Sequence, residues 1–167
     1  MARRLFYLDE GQRDQAWIRG ETAEHLRRVL RVSSGPQFEL SDGERFYLGE
    51  LAGLGRHEIE FRIIESREAA PQPLRVHLLA SLIKFDHFEW MLEKATELGV
   101  SCVTPVNAMR SEKGLDQAAP KRMDRWRRIV RESGQQSRRV SPPEIGETVG
   151  LRQALGLEAA YRLWLEE

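Results

Sequence analysis

The stretch KFDHFEWMLEKATELGVSCVTPVNAMR, residues 84–110, decides the fold of this chain. Phe88, Met91, Leu92, Ala95 and Leu98 recur at helical spacing across Asp86–Leu98, so one stripe of that helix faces a core. Gly99 follows where a helix ends in a left-handed residue. Cys102–Val106 reads as a strand. Val76–Ile83, before the helix, is nearly continuous apolar sequence, as expected for a strand covered on both faces. Strand, helix and strand of these lengths imply a parallel sheet. A helix follows over Lys121–Glu132, with Met123, Trp126, Ile129 and Val130 turned inward. Leu151–Leu155 predicts a short third helix and Ala160–Leu165 a third strand, after which the sequence stops at Glu167 before the sheet looks finished. An unfinished sheet exposes an edge and apolar surface, so residues 1–167 alone are expected to aggregate or to pair with another chain.

Working outward to the N-terminus, the first seventy residues read as a small β-rich unit with one helix. Arg4–Leu8 is an opening strand, and Leu26, Val29 and Leu30 fall at helical spacing within Glu21–Arg31. Gln37–Leu40 and Glu44–Leu51 flank Asp42-Gly43, a dipeptide that favours a tight hairpin. His57–Ile64 alternates, with Ile59, Phe61 and Ile63 on one face. Several short antiparallel strands with turn signals imply a small barrel. Ala69-Ala70-Pro71-Gln72-Pro73 resists both helix and central strand and marks the boundary between residues 1–70 and residues 71–167.

Composition narrows the function classes. An apolar content of 41% with mixed charge fits a globular protein. The 26 basic and 26 acidic groups cancel, but unevenly: residues 110–141 carry ten basic and four acidic side chains, net +6. A local excess of that size attracts phosphate whatever the total charge; a solvated helix face accounts for it equally well. The single cysteine, Cys102, excludes an intramolecular disulfide framework and a cysteine-rich zinc site, and in its apolar run it reads as a buried, inert thiol. His25, His57, His77 and His87 lack metal-ligand spacing, and His77 reads as a hydrogen-bonded core imidazole. No nucleophile-elbow, P-loop or dinucleotide-binding motif is present. No signal-like segment opens the chain, and no apolar run approaches the roughly 20 residues that span a bilayer. A cytoplasmic protein without metal or membrane attachment is expected.

Two clusters could carry chemistry. With Leu26, Val29 and Leu30 facing inward, Arg27, Arg28 and Arg31 project into solvent, where their donor forks suit phosphate and guanine edges. In the later helix Lys121, Arg125, Arg128 and Arg131 lie opposite the apolar stripe, Arg127 lies near its edge, and Arg138-Arg139 follow. Lys84, Lys94 and Arg110 lie near element ends, where ligands of open α/β sheets collect. Trp90 points away from the apolar stripe, onto the face of Glu93 and Glu97, to be covered by a second subunit or by the barrel.

His25-Leu26-Arg27-Arg28-Val29-Leu30-Arg31, the Asp42-Gly43 hairpin and Lys94-Ala95-Thr96-Glu97-Leu98-Gly99-Val100 together resemble the RsmE family of ribosomal RNA methyltransferases. So do Pro105, Arg110-Ser111, Trp126-Arg127-Arg128-Ile129 and Gln136-Ser137-x-Arg139 followed by Pro143-Glu144-Ile145. The resemblance runs over essentially the whole chain. It implies an N-terminal PUA-like β-barrel joined to a SPOUT α/β domain closed by a trefoil knot. It also implies a homodimer that uses S-adenosylmethionine to methylate N3 of a uridine in 16S ribosomal RNA of the small subunit. The family's Gly-Pro-Glu-Gly-Gly turn and its Leu-Gly-x-x-x-Leu-Arg-x-Glu-Thr-Ala segment, which build the cofactor pocket and knot, are not found in residues 1–167. No cofactor-binding residue is therefore assigned, and this 167-residue chain by itself is expected to be inactive. The alternatives are a non-catalytic RNA-binding protein and an α/β module whose basic helix meets an acidic protein. Arg28 and Arg31 from the barrel, with Arg110 and Arg139 from the second domain, are the expected RNA contacts, arranged along one shared cationic groove. Lys94 and Glu97 are expected to brace the helix or the dimer.

Overall fold

In the computed structural model, which describes residues 5–11, 14–29 and 37–165, a two-residue link closes the first sheet. Strands β1 (Leu5–Tyr7) and β2 (Glu10–Gly11) are the outermost of six, yet only Leu8 and Asp9 separate them. A flat six-stranded sheet would hold its edges about 24 Å apart, whereas three Cα steps reach at most about 11 Å. The sheet must curl. Leu8 N–H donates to Ser41 on one edge (2.7 Å) and Asp9 N–H to Trp17 on the other (3.1 Å). Between the edges run β3 (Gln15–Arg19), α1 (Gly20–Val29), β4 (Gln37–Ser41), β5 (Arg45–Leu54) and β6 (Glu58–Glu68), with strand order β1-β4-β5-β6-β3-β2. Only β1 and β4 pair in parallel in this sheet. Phe6, Ile18, Leu26, Phe38, Leu40 and Phe61 fill the curl. The expected Asp42-Gly43 hairpin is present: Gly43 has φ +99°, and Asp42 Oδ1 accepts from the N–H groups of Glu44 and Arg45. Strand β3 has no counterpart in the sequence reading, because its buried pair Ala16 and Ile18 is too short a pattern to stand out.

After the extended 69–76 segment, β7 (His77–Ser81), α2 (Phe85–Glu97), β8 (Cys102–Asn107), α3 (Leu115–Ala118), a 3-10 turn (Ala119–Arg122) and α4 (Met123–Gln136) follow. They lead to β9 (Glu144–Ile145), β10 (Val149–Gly150) and α5 (Leu151–Leu155). All the strands of this second sheet are parallel. Helix α2 ends as its sequence requires, with Gly99 at φ +94° donating to Thr96 and Val100 donating to Ala95, which satisfies carbonyls the helix cannot. Trp126, fully buried, packs on Phe85 and Phe88 with ring centroids at 5.8 and 4.7 Å, seating α4 on α2.

Three expectations fail here. The third strand is not Ala160–Leu165, which is exposed and outside any helix or strand. It is the broken pair β9 and β10, both on the same edge of β8. The break suits Pro105. Val103 faces β9 and Val106 faces β7, so the alternation turns the proline nitrogen toward the gap, where no ladder donor is needed. Val76–Ile83 is covered on one face only, since Leu78 and Ala80 are half-buried while His77, Leu79 and Ser81 are exposed. Leu98 leaves the buried stripe altogether and is 85% exposed, because the chain turns at Gly99 one residue later.

Candidate nucleic-acid interface

Because β7, β8 and β10 run in parallel, their carboxyl ends share one edge, the place where open α/β sheets bind ligands. Lys84 stands there as the N-terminal cap residue of α2 and makes no side-chain cap bond, while Asp86 Oδ1 in the first turn accepts from His87 N–H (2.9 Å). Ser111 Oγ donates to Leu82 O (2.9 Å) and accepts from Ala108 N–H (3.1 Å), folding the loop after β8 back onto the end of β7. That stitch fixes the neighbouring Arg110, which is exposed and makes no ion pair or hydrogen bond among the described residues. Lys113 and Lys121 continue the exposed, unpaired cations, tempered by Glu112 and Asp116 on the same loop. Arg122 lies 5.1 Å over the Phe85 ring, and Arg122 and Arg125 both face Glu89, at 3.7 and 2.8 Å. This edge therefore carries free positive charge from Lys84, Arg110, Lys113 and Lys121, a surface that attracts phosphate.

Much of the arginine cluster does other work. Arg127 pairs with Asp124, Arg131 donates to Tyr7 O (3.2 Å) and faces Asp9, and Arg138 pairs with Glu39. Arg139 Nη1 donates to Thr96 O (3.0 Å) and Val100 O (2.6 Å) at the end of α2. Its Nε is buried without a partner among the described residues, and burial pulls its pKa below the usual arginine value. Of the arginines on α4, Arg128 alone stays exposed and unpaired among the described residues.

Two of the four arginines singled out from sequence, Arg110 and Arg139, lie at opposite ends of β8. Arg139 grips carbonyls just before β8 begins and Arg110 follows its end, so about 16 Å of strand separates them. Arg28 is on α1 of the barrel, with its side chain outside the described residues, as is all of Arg31. Lys94 braces its own helix: Glu93 and Glu97 each sit 3.0 Å from its ammonium and raise its pKa. Trp90 is 64% exposed, so the barrel does not cover it. His77 is no core imidazole; its exposed ring meets Thr104 Oγ1 at 2.8 Å. Cys102 is half-buried, and burial, then Glu144, pushes its thiol pKa up, which keeps it unreactive at neutral pH. Among the described residues no cluster of histidine, cysteine or carboxylate could hold a metal ion, and no helix is long and apolar enough to cross a membrane.

Sequence reasoning missed Tyr7, Ser41 and Gly134, which meet where the barrel touches α4. A signal existed: a glycine inside a cationic helix is unfavourable by roughly 1 kcal/mol unless something approaches closely.

A family model for an RNA methyltransferase domain matches residues 70–167, and one for an RNA methyltransferase PUA domain matches residues 18–64. Ribosomal RNA small subunit methyltransferase E of Bacillus subtilis is 31% identical over 141 residues, covering 83% of this chain and 55% of the relative. The enzyme of the same name from Aquifex aeolicus is 29% identical over 148 residues, covering 88% of this chain and 64% of the relative. The chain thus spans between about half and two thirds of the length of these curated relatives. A solved Neisseria gonorrhoeae ribosomal RNA small subunit methyltransferase E, bound to S-adenosyl methionine, superposes with a TM-score of 0.82 at 30% identity. It covers 95% of this chain, which covers 67% of it. A putative methyltransferase from Legionella pneumophila, in complex with the same cofactor, gives a TM-score of 0.85 at 27% identity, covering 99% and 70%. With both halves matched in order and the curled sheet and parallel sheet reproduced, the chain belongs to the RNA methyltransferase family of the ribosomal RNA small subunit methyltransferase E type.

Proposed function

We propose that this chain is the RNA-holding portion of an S-adenosylmethionine-dependent methyltransferase that modifies N3 of a uridine in 16S RNA of the small ribosomal subunit. In this reading the protein works in the cytoplasm as a homodimer, with a barrel over residues 1–70 and an α/β domain over residues 71–167. The observation that carries it is the carboxyl edge of the second sheet, where Lys84, Arg110 and Lys121 are exposed, basic and unpaired among the described residues. Arg28 and Arg31 add contacts from the barrel. Phosphate contacts at both ends set the register of the RNA, and the base is chosen elsewhere.

The described residues do not fit the cofactor. Unpaired cations outnumber the carboxylates Asp86, Glu112 and Asp116 at the open carboxyl edge, which therefore favours an anion over a positively charged sulfonium. A cleft of about 200 Å³ lies instead on the barrel, lined by Glu39, Phe46, Leu48, Glu65 and Arg67. No methyl-transfer step is therefore derived from these residues. A second reading, RNA binding without catalysis, rests on the same cationic edge.

Incubation with tritiated S-adenosylmethionine and undermethylated small subunits separates the two. Label on a uridine N3 supports methylation. RNA retained on a filter without label supports binding alone, and the absence of both label and retention overturns both readings.

A further inference from the structure

The tightest contact between the two halves surrounds Arg138, the one described non-glycine residue with positive φ, at +57°. It occupies the left-handed position after α4, where Arg139 N–H donates to Gly134 (2.9 Å). Glycine is the usual occupant, and an L side chain there is strained. Strain of this kind persists only where surrounding contacts enforce it. Here they reach across the joint. Arg138 bonds Glu39 of β4, and its neighbours bind on both sides of it. Arg139 holds the end of α2 through its guanidinium, while its carbonyl accepts from Tyr7 Oη at 3.1 Å. The Val140 carbonyl accepts from the fully buried Ser41 Oγ at 2.6 Å. Arg131 closes the ring, donating to Tyr7 O and lying 5.4 Å over the Tyr7 ring.

Gly134 shows how close the fit is. A Cβ there would lie 2.5 Å from Tyr7 Oη but 3.5 Å from Tyr7 Cζ and from Pro142 Cα. The hydroxyl alone forbids a side chain.

We infer that Arg138–Val140 is a keystone that locks barrel and α/β domain into one rigid body, making Tyr7, Gly134 and Arg138 positioning residues that fix the spacing between two RNA-contacting surfaces. The locking stands on the geometry; its use in RNA binding rests on the function proposed above. Polymer reach alone would not give it, because the 69–76 segment is exposed and extended.

The experiment measures single-molecule energy transfer between dyes on cysteines at the exposed positions Arg56 and Gln117, in a Cys102→Ser background of the whole chain. The unaltered joint should give one narrow distance. Gly134→Ala should broaden it, and Tyr7→Phe/Gly134→Ala, which removes the clashing oxygen but also its bond to the Arg139 carbonyl, should narrow it in part. Arg138→Gly relaxes the backbone, so it should fold, yet it too should broaden the distance by losing Glu39. A broad distribution in the parent, or Gly134→Ala and Arg138→Gly both as narrow as the parent, overturns the proposal. Affinity for 16S RNA fragments reads the consequence: opening the joint should weaken binding about tenfold or more, since linked sites act as one only when their geometry is held. Unchanged affinity with an opened joint overturns the positioning role. If no form binds RNA, the proposed function fails while the energy-transfer result stands.

Discussion

Replacing Arg139 by methionine separates a brace from an RNA contact. The change keeps the length and apolar stem of the side chain but removes the guanidinium that donates to Thr96 O (3.0 Å) and Val100 O (2.6 Å). Hydrogen bonds from a charged donor contribute about 1.5–3 kcal/mol each. The Thr96 carbonyl keeps a second donor in Gly99 N–H (3.1 Å), so only the Val100 bond is lost at full value. Against this, the buried Nε has no partner among the described residues, and deleting it relieves roughly 1 kcal/mol of desolvation. With part of the Thr96 bond also lost, the balance is a loss of about 1–3 kcal/mol. For a chain of this length that lowers Tm by roughly 3–10 °C. Urea unfolding followed by tryptophan fluorescence reads it directly. Arg139→Lys should recover little, since a point charge cannot reproduce the planar fork. Unchanged stability with a sharp fall in RNA affinity would refute the brace and return Arg139 to the RNA surface.

Other outcomes follow from the same geometry. Trp126→Ala empties the centre of the α2–α4 interface and should cost about 3–5 kcal/mol by denaturant titration. Gly99→Ala forces a side chain to φ +94° and should cost about 1–2 kcal/mol in the same titration. That cost is backbone strain alone, because nothing lies within 4 Å of the new Cβ. Tyr7 has its pKa pushed up to about 12, chiefly by burial and against the pull of Arg139 and Arg131. The folded state therefore keeps the phenol proton longer than the unfolded chain, whose value is about 10, so Tyr7 contributes stability below pH 10 that is lost as pH rises toward 12. Tyr7→Phe should flatten stability against pH in that window; an unchanged slope would contradict the burial of the hydroxyl.

Much of the fold was legible because its strongest elements are long and periodic. The α2 stripe of Phe88, Leu92 and Ala95 is buried as read, α5 has the expected bounds, and Gly99 ends its helix. What escaped depends on partners that a linear pattern does not contain. Glu144–Gly150 has too few paired residues to read as a strand and is broken at Gly146, whose added Cβ would meet Thr104 Oγ1 at 2.9 Å. Leu163 and Leu165 have strand-like composition yet remain exposed, since apolar sequence makes a strand only against an edge that accepts it. The charge excess of residues 110–141 was visible; that Arg131, Arg138 and Arg139 spend their donors on backbone and carboxylates was not. Periodicity places a side chain on a face, and only the fold says what meets it there.

The most direct test of the account is the salt dependence of RNA affinity for the whole chain and for its Lys84→Ala/Arg110→Ala variant. Each phosphate contact removed should lower the log–log slope by about 0.7 on single-stranded RNA, so the double variant should lose roughly 1.4 with its stability unchanged. An unaltered slope, or a parent chain that fails to bind 16S RNA at about 50 mM salt, where phosphate contacts are strongest, would contradict the claim that this edge holds RNA.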